Sequence, residues 1–337
     1  MDKVNWGIIG LGEIVKAHNT SFLKAKNCNL KAIASRTDYK LKDFNKIFNL
    51  EKKFCFNNYD DLIKNPEIDI VYISLPNVFH YEWIEKCIEN EKNILVEKPI
   101  TTNADQIKNV KKKVLHKHPK ISILEGFKYK YHPQISKIIE LISNDEVGEI
   151  NHIESSFGVN LLSKKKFLFF EKKKKLNKNG RLFNKNLGGG CILDLGCYPI
   201  SIVTMISDLV DNTKASFEII NKKIEIGETG VDIDANIEFV LRNKISAKLF
   251  SSFKKNIGTT TNIYGTKGKI EITSTWAGLS NIIVKTKNKN RIINFDKVED
   301  TYIFQLEKIS DDLINNNVNQ NFDNMILNME IIDKWLN

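Results

Sequence analysis

The sequence predicts an α/β N-terminal Rossmann domain with a doubly wound parallel sheet, followed by an α+β C-terminal domain with a large, open, mainly antiparallel sheet. Three observations predict it. Apolar runs alternate with amphipathic stretches over the first third of the chain. A Gly-x-Gly pair stands where the first run meets the first amphipathic stretch. Beyond Glu125 the apolar period changes from that of helices to that of strands, with turns rich in Gly and Asn.

In the first third, strands are expected at 4–9, 30–35, 70–74, 94–96 and 121–124, with a short one starting at Phe54. Helices are expected at 13–25, 41–48, 60–64, 80–89 and 103–115. Strands separated by helices of roughly ten to fifteen residues imply crossover units and a parallel sheet. After the change of period come a helix at 133–142, a strand at 150–157, and a Lys-rich, weakly periodic segment at 161–186. A helix opened by Gly188–Gly190 then runs to about Ser207. Strands follow at 215–221, 233–241, 245–252, 260–264, 269–273, 282–287 and 291–295, and helices at 301–315 and 320–336 close the chain. The expected domains are 1–125 and 126–337.

With 337 residues, 42% hydrophobic and 27% charged, the chain can bury two ordinary cores. No apolar stretch reads as approaching the ~20 residues that span a bilayer, and the N-terminus runs into a strand without a signal-peptide pattern. The five cysteines are odd in number and form no CxxC pair, so free thiols in a reducing cytoplasm are expected, with neither a disulfide framework nor a metal site. The net charge of +10 includes the runs Lys164–Lys166 and Lys172–Lys175. These read as a solvated loop rather than a nucleic-acid surface, since no aromatic stacking platform accompanies them.

In Gly7-Ile8-Ile9-Gly10-Leu11-Gly12-Glu13-Ile14-Val15, Gly10 permits the tight turn and Gly12 lets the backbone approach a pyrophosphate at a helix start. Val15 replaces the small third residue of the usual fingerprint. The second strand ends Ala34-Ser35-Arg36, with no carboxylate to accept from a ribose 2′-hydroxyl. Ser and Arg suit a 2′-phosphate, and Lys40 adds charge, so NADP is favoured over NAD.

Seven strings in order, GIIGLG, AIASR, VYISLPNVFH, VEKPI, EGFKYKYHPQ, LGGGCILDLGCYPIS and YGTKGKIEI, resemble the glucose–fructose oxidoreductase, inositol dehydrogenase and MocA-type (Gfo/Idh/MocA) family. The Tyr at 198, where many inositol dehydrogenase-like members carry His, is similar to the dihydrodiol and xylose dehydrogenase branch. The resemblance implies an NAD(P)-dependent oxidoreductase acting on sugars or cyclic polyols, and a homodimer or homotetramer paired through the open sheet. It implies catalytic roles for Lys98, Tyr198 and Asp194. Lys98 ends a parallel strand, where a cation can polarise a substrate oxygen. Asp194 and Tyr198, four apart on one helix, share a face. Cofactor contacts are implied at Gly10, Gly12, Glu13, Ile14, Ser35, Arg36, Leu75, Asn77, His80, Glu97 and Lys98. His80 reads equally as a helix-start histidine. Lys130 stands where the family often has Arg and offers only a point charge, and His132 reads as pocket lining or packing. Rival readings are a ketoreductase for nucleotide-activated sugars, with the 163–178 segment drawing the diphosphate, and a non-catalytic NADP-sensing regulator.

Overall fold

The computed structural model describes residues 3–167, 170–211, 216–242, 244–276, 280–296 and 300–337, without the side chains of 164–171. Outside the described residues lie the start of the strand expected at 215–221, Asn243 of one expected turn, and positions 168–169 of the Lys-rich segment. Along the chain come β1 (Val4–Ile9), α1 (Glu13–Ala17), α2 (Asn19–Lys24), β2 (Cys28–Ala34), α3 (Asp38–Phe48), β3 (Cys55–Phe56) and α4 (Tyr59–Lys64). Then come β4 (Ile70–Ile73), α5 (His80–Glu89), β5 (Asn93–Val96), α6 (Ala104–Lys117), β6 (Ile123–Glu125) and α7 (Pro133–Ser143). They are followed by β7 (Ile150–Gly158), β8 (Ser163–Phe167), β9 (Phe170–Lys173), α8 (Cys197–Val210), β10 (Phe217–Ile226), β11 (Asp232–Leu241) and β12 (Ser246–Ser252). The last elements are β13 (Thr261–Gly265), β14 (Gly268–Ile272), β15 (Ile282–Thr286), β16 (Asn290–Ile293), α9 (Tyr302–Ile314) and α10 (Phe322–Leu336).

The chain divides into two compact units, Met1–Tyr131 with Val298–Met325, and His132–Lys297 with Ile326–Asn337. The first holds a six-stranded sheet in the order β3-β2-β1-β4-β5-β6, parallel throughout. Its strands are nearly continuous apolar runs because helices cover both faces. The return segment completes this unit's core: Leu306 and Ile309 of α9 pack with Trp6, Phe22 and Tyr72, and the Trp6 indole donates to Ser310 Oγ at 3.0 Å. The second unit holds an eight-stranded sheet, β10-β11-β12-β7-β13-β14-β15-β16, antiparallel except where β12 runs parallel to β7. Its strands alternate between buried and partly exposed residues, as a sheet with one covered face requires.

Four expectations are corrected. The helix expected at 13–25 breaks at His18, whose backbone leaves the helical region (φ −122°, ψ 20°) while its ring bonds Asp300 at 2.9 Å and stacks on Tyr302 at 3.6 Å. Tertiary contacts with a segment far along the chain override the helical period. The segment at 161–186 contains an antiparallel hairpin, β8–β9. The helix expected from Gly188 is delayed: Gly188 (φ +73°) and Gly190 (φ +125°) end a loop, and a π-helical turn, Ile192–Gly196, precedes α8. The run Lys185–Val210 is long and apolar enough to cross a membrane by length and composition, its most apolar 18 residues having a mean hydropathy of 1.5, contrary to the expectation that no stretch is. That window is 83% buried, because α8 packs on β7 and β12 as a core helix.

Candidate active site

In the first unit the site begins where β1 and β4 part, the point at which the strand order reverses and open α/β sheets bind ligands. Gly10 adopts φ +91°, and a Cβ there would lie 2.6 Å from Leu75 Cδ2 and 2.7 Å from the Ser74 carbonyl. Only glycine fits. A Cβ built on Gly12, by contrast, meets nothing within 4 Å. Beside this open cradle, the buried Ser74 hydroxyl has no hydrogen-bond partner among the described residues. Space that a side chain would fill, together with an orphaned hydroxyl, fits a pyrophosphate. α1 has only five residues, so backbone N–H groups rather than a long helix dipole face that space. Glu13 is exposed, Ile14 packs on the core, and Val15 is 1% exposed, its bulk absorbed by the core instead of the usual close helix–strand approach.

Arg36 is exposed just past β2, its guanidinium carbon 5.5 Å from the Tyr59 ring and 6.0 Å from the Phe79 ring. Two aromatic faces thus steady a cation that has no ion pair with a carboxylate among the described residues. Ser35 is buried and its hydroxyl accepts from the Thr37 amide at 3.2 Å.

The ends of β4 and β5 carry the remaining predicted residues. Asn77 is buried in a short turn ahead of α5. His80 is fully buried, with Nε2 2.8 Å from the Leu75 carbonyl and Nδ1 2.8 Å from the Pro99 carbonyl. It therefore ties the loop after β4 to the loop holding Lys98. Burial holds its pKa below the usual histidine value although both carbonyls pull the other way. A neutral ring can donate to only one of them. Glu97 is buried: Tyr72 donates to its Oε1 at 2.6 Å and Tyr302 at 3.4 Å. Burial, then the Glu97 charge, push the Tyr72 phenol well above its ordinary value. The Lys128 ammonium lies 4.8 Å over the Tyr302 ring, and burial lowers its pKa against the pull of Asp300 and Glu97. Lys98 is half-buried next to this network.

In the second unit Asp194 lies within the π-helical turn and Tyr198 in the first turn of α8. Such single turns of wide helix often mark functional sites. The turn is pinned from three sides. The Asp232 carboxylate accepts the Ile192 amide at 2.6 Å, Ser251 Oγ donates to the Cys191 carbonyl at 2.6 Å, and a Cβ on Gly196 would lie 3.0 Å from the Trp335 ring. Gly190 is obligatory, because a Cβ there would sit 2.1 Å from Asp232 Oδ1. Arg181 Nη1 donates to Asp194 Oδ1 at 2.8 Å. The Tyr198 ring packs against Phe157 and Trp276, with centroids 5.2 and 5.4 Å away. His132 caps α7, its Nδ1 accepting the Gln134 amide at 3.0 Å, and is 1% exposed.

The predicted residues gather as two groups, one on the parallel sheet and one at the head of α8. Sequence reasoning missed Ser74, Glu125, Tyr302, Arg181 and Asp232. Glu125 stands in the quoted EGFKYKYHPQ string and could have been weighed there, whereas Tyr302, Arg181 and Asp232 carry no local signal.

A strand order of 3-2-1-4-5-6 with a phosphate-sized glycine cradle at its switch point and a lysine at a neighbouring strand end defines a dinucleotide-dependent oxidoreductase. Comparison with known proteins agrees. Residues 4–124 match the model of an oxidoreductase family with an NAD-binding Rossmann fold, and residues 135–271 match the GFO/IDH/MocA C-terminal domain. Trans-1,2-dihydrobenzene-1,2-diol dehydrogenase of Xenopus tropicalis is 31% identical over 288 residues, 84% of this chain and 79% of that protein. D-xylose 1-dehydrogenase (NADP(+)) of Hypocrea jecorina is 28% identical over 214 residues, 59% of this chain and 52% of that protein. A 3-ketoreductase from Actinomadura kijaniata, solved with NADP and TDP-benzene, shares the fold with a TM-score of 0.82 at 18% identity, covering 98% of this chain and 96% of that one. The chain belongs to the GFO/IDH/MocA oxidoreductase family and is an NAD(P)-dependent enzyme acting on CH–OH groups.

Proposed function

We propose that the enzyme uses NADP to interconvert a hydroxyl and a carbonyl on a sugar, cyclic polyol or related diol. The observation that carries this reading is Lys98, placed by the β5 end on the same sheet as the glycine cradle and fixed beside the buried Glu97. The Arg36 guanidinium between Tyr59 and Phe79 supports NADP, since it offers a charge-assisted bond to a 2′-phosphate. When bound, the nicotinamide supplies or accepts a hydride. The chain's own task is to manage charge and the proton. Tyr198 exchanges a proton with the substrate oxygen as that oxygen changes between hydroxyl and carbonyl. The Lys98 ammonium stabilises negative charge that develops on a reacting oxygen. Asp194, balanced by Arg181, accepts a hydrogen bond from a neighbouring substrate hydroxyl. Lys98→Ala and Tyr198→Phe should abolish NADPH oxidation while cofactor titration stays normal. Unchanged turnover in both variants would sink the assignment.

A second reading, reduction of a nucleotide-linked keto sugar, is favoured by the exposed Lys172 and Lys173 of β9 and Lys175 just after it, whose charge attracts a diphosphate. A turnover screen of free against nucleotide-linked sugars separates the two. An odd number of cysteines with no CxxC pair fits a cytoplasmic enzyme. The exposed Ile220 and Ile226 of β10 and Ile292 of β16 support a homodimer or homotetramer, which light scattering of the purified protein tests.

A further inference from the structure

One half-buried carboxylate lies against the lysine loop without a role in the reaction above. Glu125 is the last residue of β6 and pairs in register with Val96, the last residue of β5. Its Oε1 accepts the amide of Ile100 at 2.9 Å, two residues beyond Lys98. The adjoining Gly126 amide donates to the Val96 carbonyl at 2.7 Å, and a Cβ on Gly126 would lie 3.3 Å from Glu97 Cα. The end of β6 is therefore seated on the backbone that presents Lys98.

The charged groups facing this carboxylate come from two neighbouring segments. Lys130, in the turn after β6, and Lys98, after β5, attract it, while Glu97 repels it. His80, at the head of α5, in turn faces Glu97 and Lys98.

We infer that Glu125 is a positioning residue for Lys98: its carboxylate ties down the loop that carries the lysine and keeps the lysine's ammonium charged. The carboxylate hydrogen bond fixes where the loop lies. Its charge opposes loss of the Lys98 proton, as any close carboxylate does. Lys130 shares the same carboxylate, which gives this lysine a part that needs no bidentate contact with a ligand. Burial pushes the Glu125 pKa up to about 7, against the pull of Lys130 and Lys98, so the pairing switches on through neutral pH rather than in acid.

The inference rests on the catalytic reading of Lys98 for its consequence, yet its test does not need turnover. The purified protein is treated with limiting acetic anhydride across neutral and alkaline pH. Acetylation of Lys98 is followed by mass spectrometry relative to the exposed Lys46. Glu125→Gln keeps an oxygen for the Ile100 amide but removes the charge, and should raise the Lys98 rate several-fold, up to about tenfold for one pKa unit. Glu125→Asp keeps the charge and should leave the rate near that of the wild type. In parallel, the pH profile of kcat/KM should show a step near neutrality that Glu125→Gln removes. An unchanged Lys98 rate in Glu125→Gln, or an equal rise in Glu125→Asp, would overturn the inference. A shifted labelling rate together with full turnover of Lys98→Ala would leave the Glu125–Lys98 coupling standing and remove the catalytic reading instead.

Discussion

The two units present their candidate residues by different means. In the first, they stand at the C-terminal ends of parallel strands, where register alone sets their place: Gly10 after β1, Ser74 after β4, Glu97 and Lys98 after β5, Glu125 ending β6. Neighbouring strands and the head of α5 then tie the loop after β5 down through Tyr72, Glu125 and His80. In the second, Asp194 and Tyr198 sit at a helix start whose wide turn is held by Asp232, Ser251 and Trp335 from other elements. A parallel sheet delivers side chains to one edge as a consequence of its topology. A helix start must be shaped by contacts that the local sequence does not supply.

The comparison can be broken first at the chemistry. Lys98→Ala and Tyr198→Phe should each cut kcat by about 10²–10⁴, the size of a lost proton-transfer or charge-stabilising group, with cofactor affinity kept by fluorescence titration. Next is the shaped turn. Gly190→Ala places a methyl group on Asp232 at φ +125° and should cost about 2–4 kcal/mol in urea unfolding, with lost activity. A cost below about 0.5 kcal/mol would show that the turn tolerates relaxation and that the contrast between the units is overstated.

A third test concerns the strand edge. The folded pKa of Glu125, about 7, lies above its ordinary 4.5, so the folded state holds this proton more tightly. Its contribution to stability is therefore full below about pH 4.5 and is lost as pH rises through 7. Glu125→Gln should remove that loss, gaining on the order of 2–3 kcal/mol relative to the wild type above neutrality, seen as a flatter curve of Tm against pH. Fourth, Arg36→Ala should lower the preference for NADP over NAD by about 10–100-fold, the value of one charge-assisted phosphate contact. The smallest effect belongs to Arg181→Ala. Its side chain is 49% exposed, so solvent screens the pair and stability should change by less than about 1 kcal/mol. The KM for substrate should rise instead if Asp194 needs that partner.

The first unit was legible because its elements repeat a strand–turn–helix grammar and its site residues follow strand ends directly. Gly10, Gly12, Lys98 and Arg36 were singled out as candidates by the positions they hold along the chain. The second unit was legible as a sheet, through its two-residue period, but the head of α8 was not. Gly188–Gly190 read as the opening of a helix, whereas two of those glycines adopt positive φ and end a loop. His18 broke a helix that its period favoured, through Asp300 and Tyr302 on the returning segment.

The sequence by itself determined the class of fold, the glycine cradle, the Ser35-Arg36 strand end and the Glu97-Lys98-Pro99 loop, because each is a local choice of residue that fixes local backbone or charge. Only the tertiary structure decided that Tyr72, Tyr302 and Glu125 surround the lysine loop, that Arg181 holds Asp194, and that Asp232 forces the π-helical turn. Those partners lie tens to hundreds of residues apart, and the burial that makes each contact matter comes from packing, which no local pattern records.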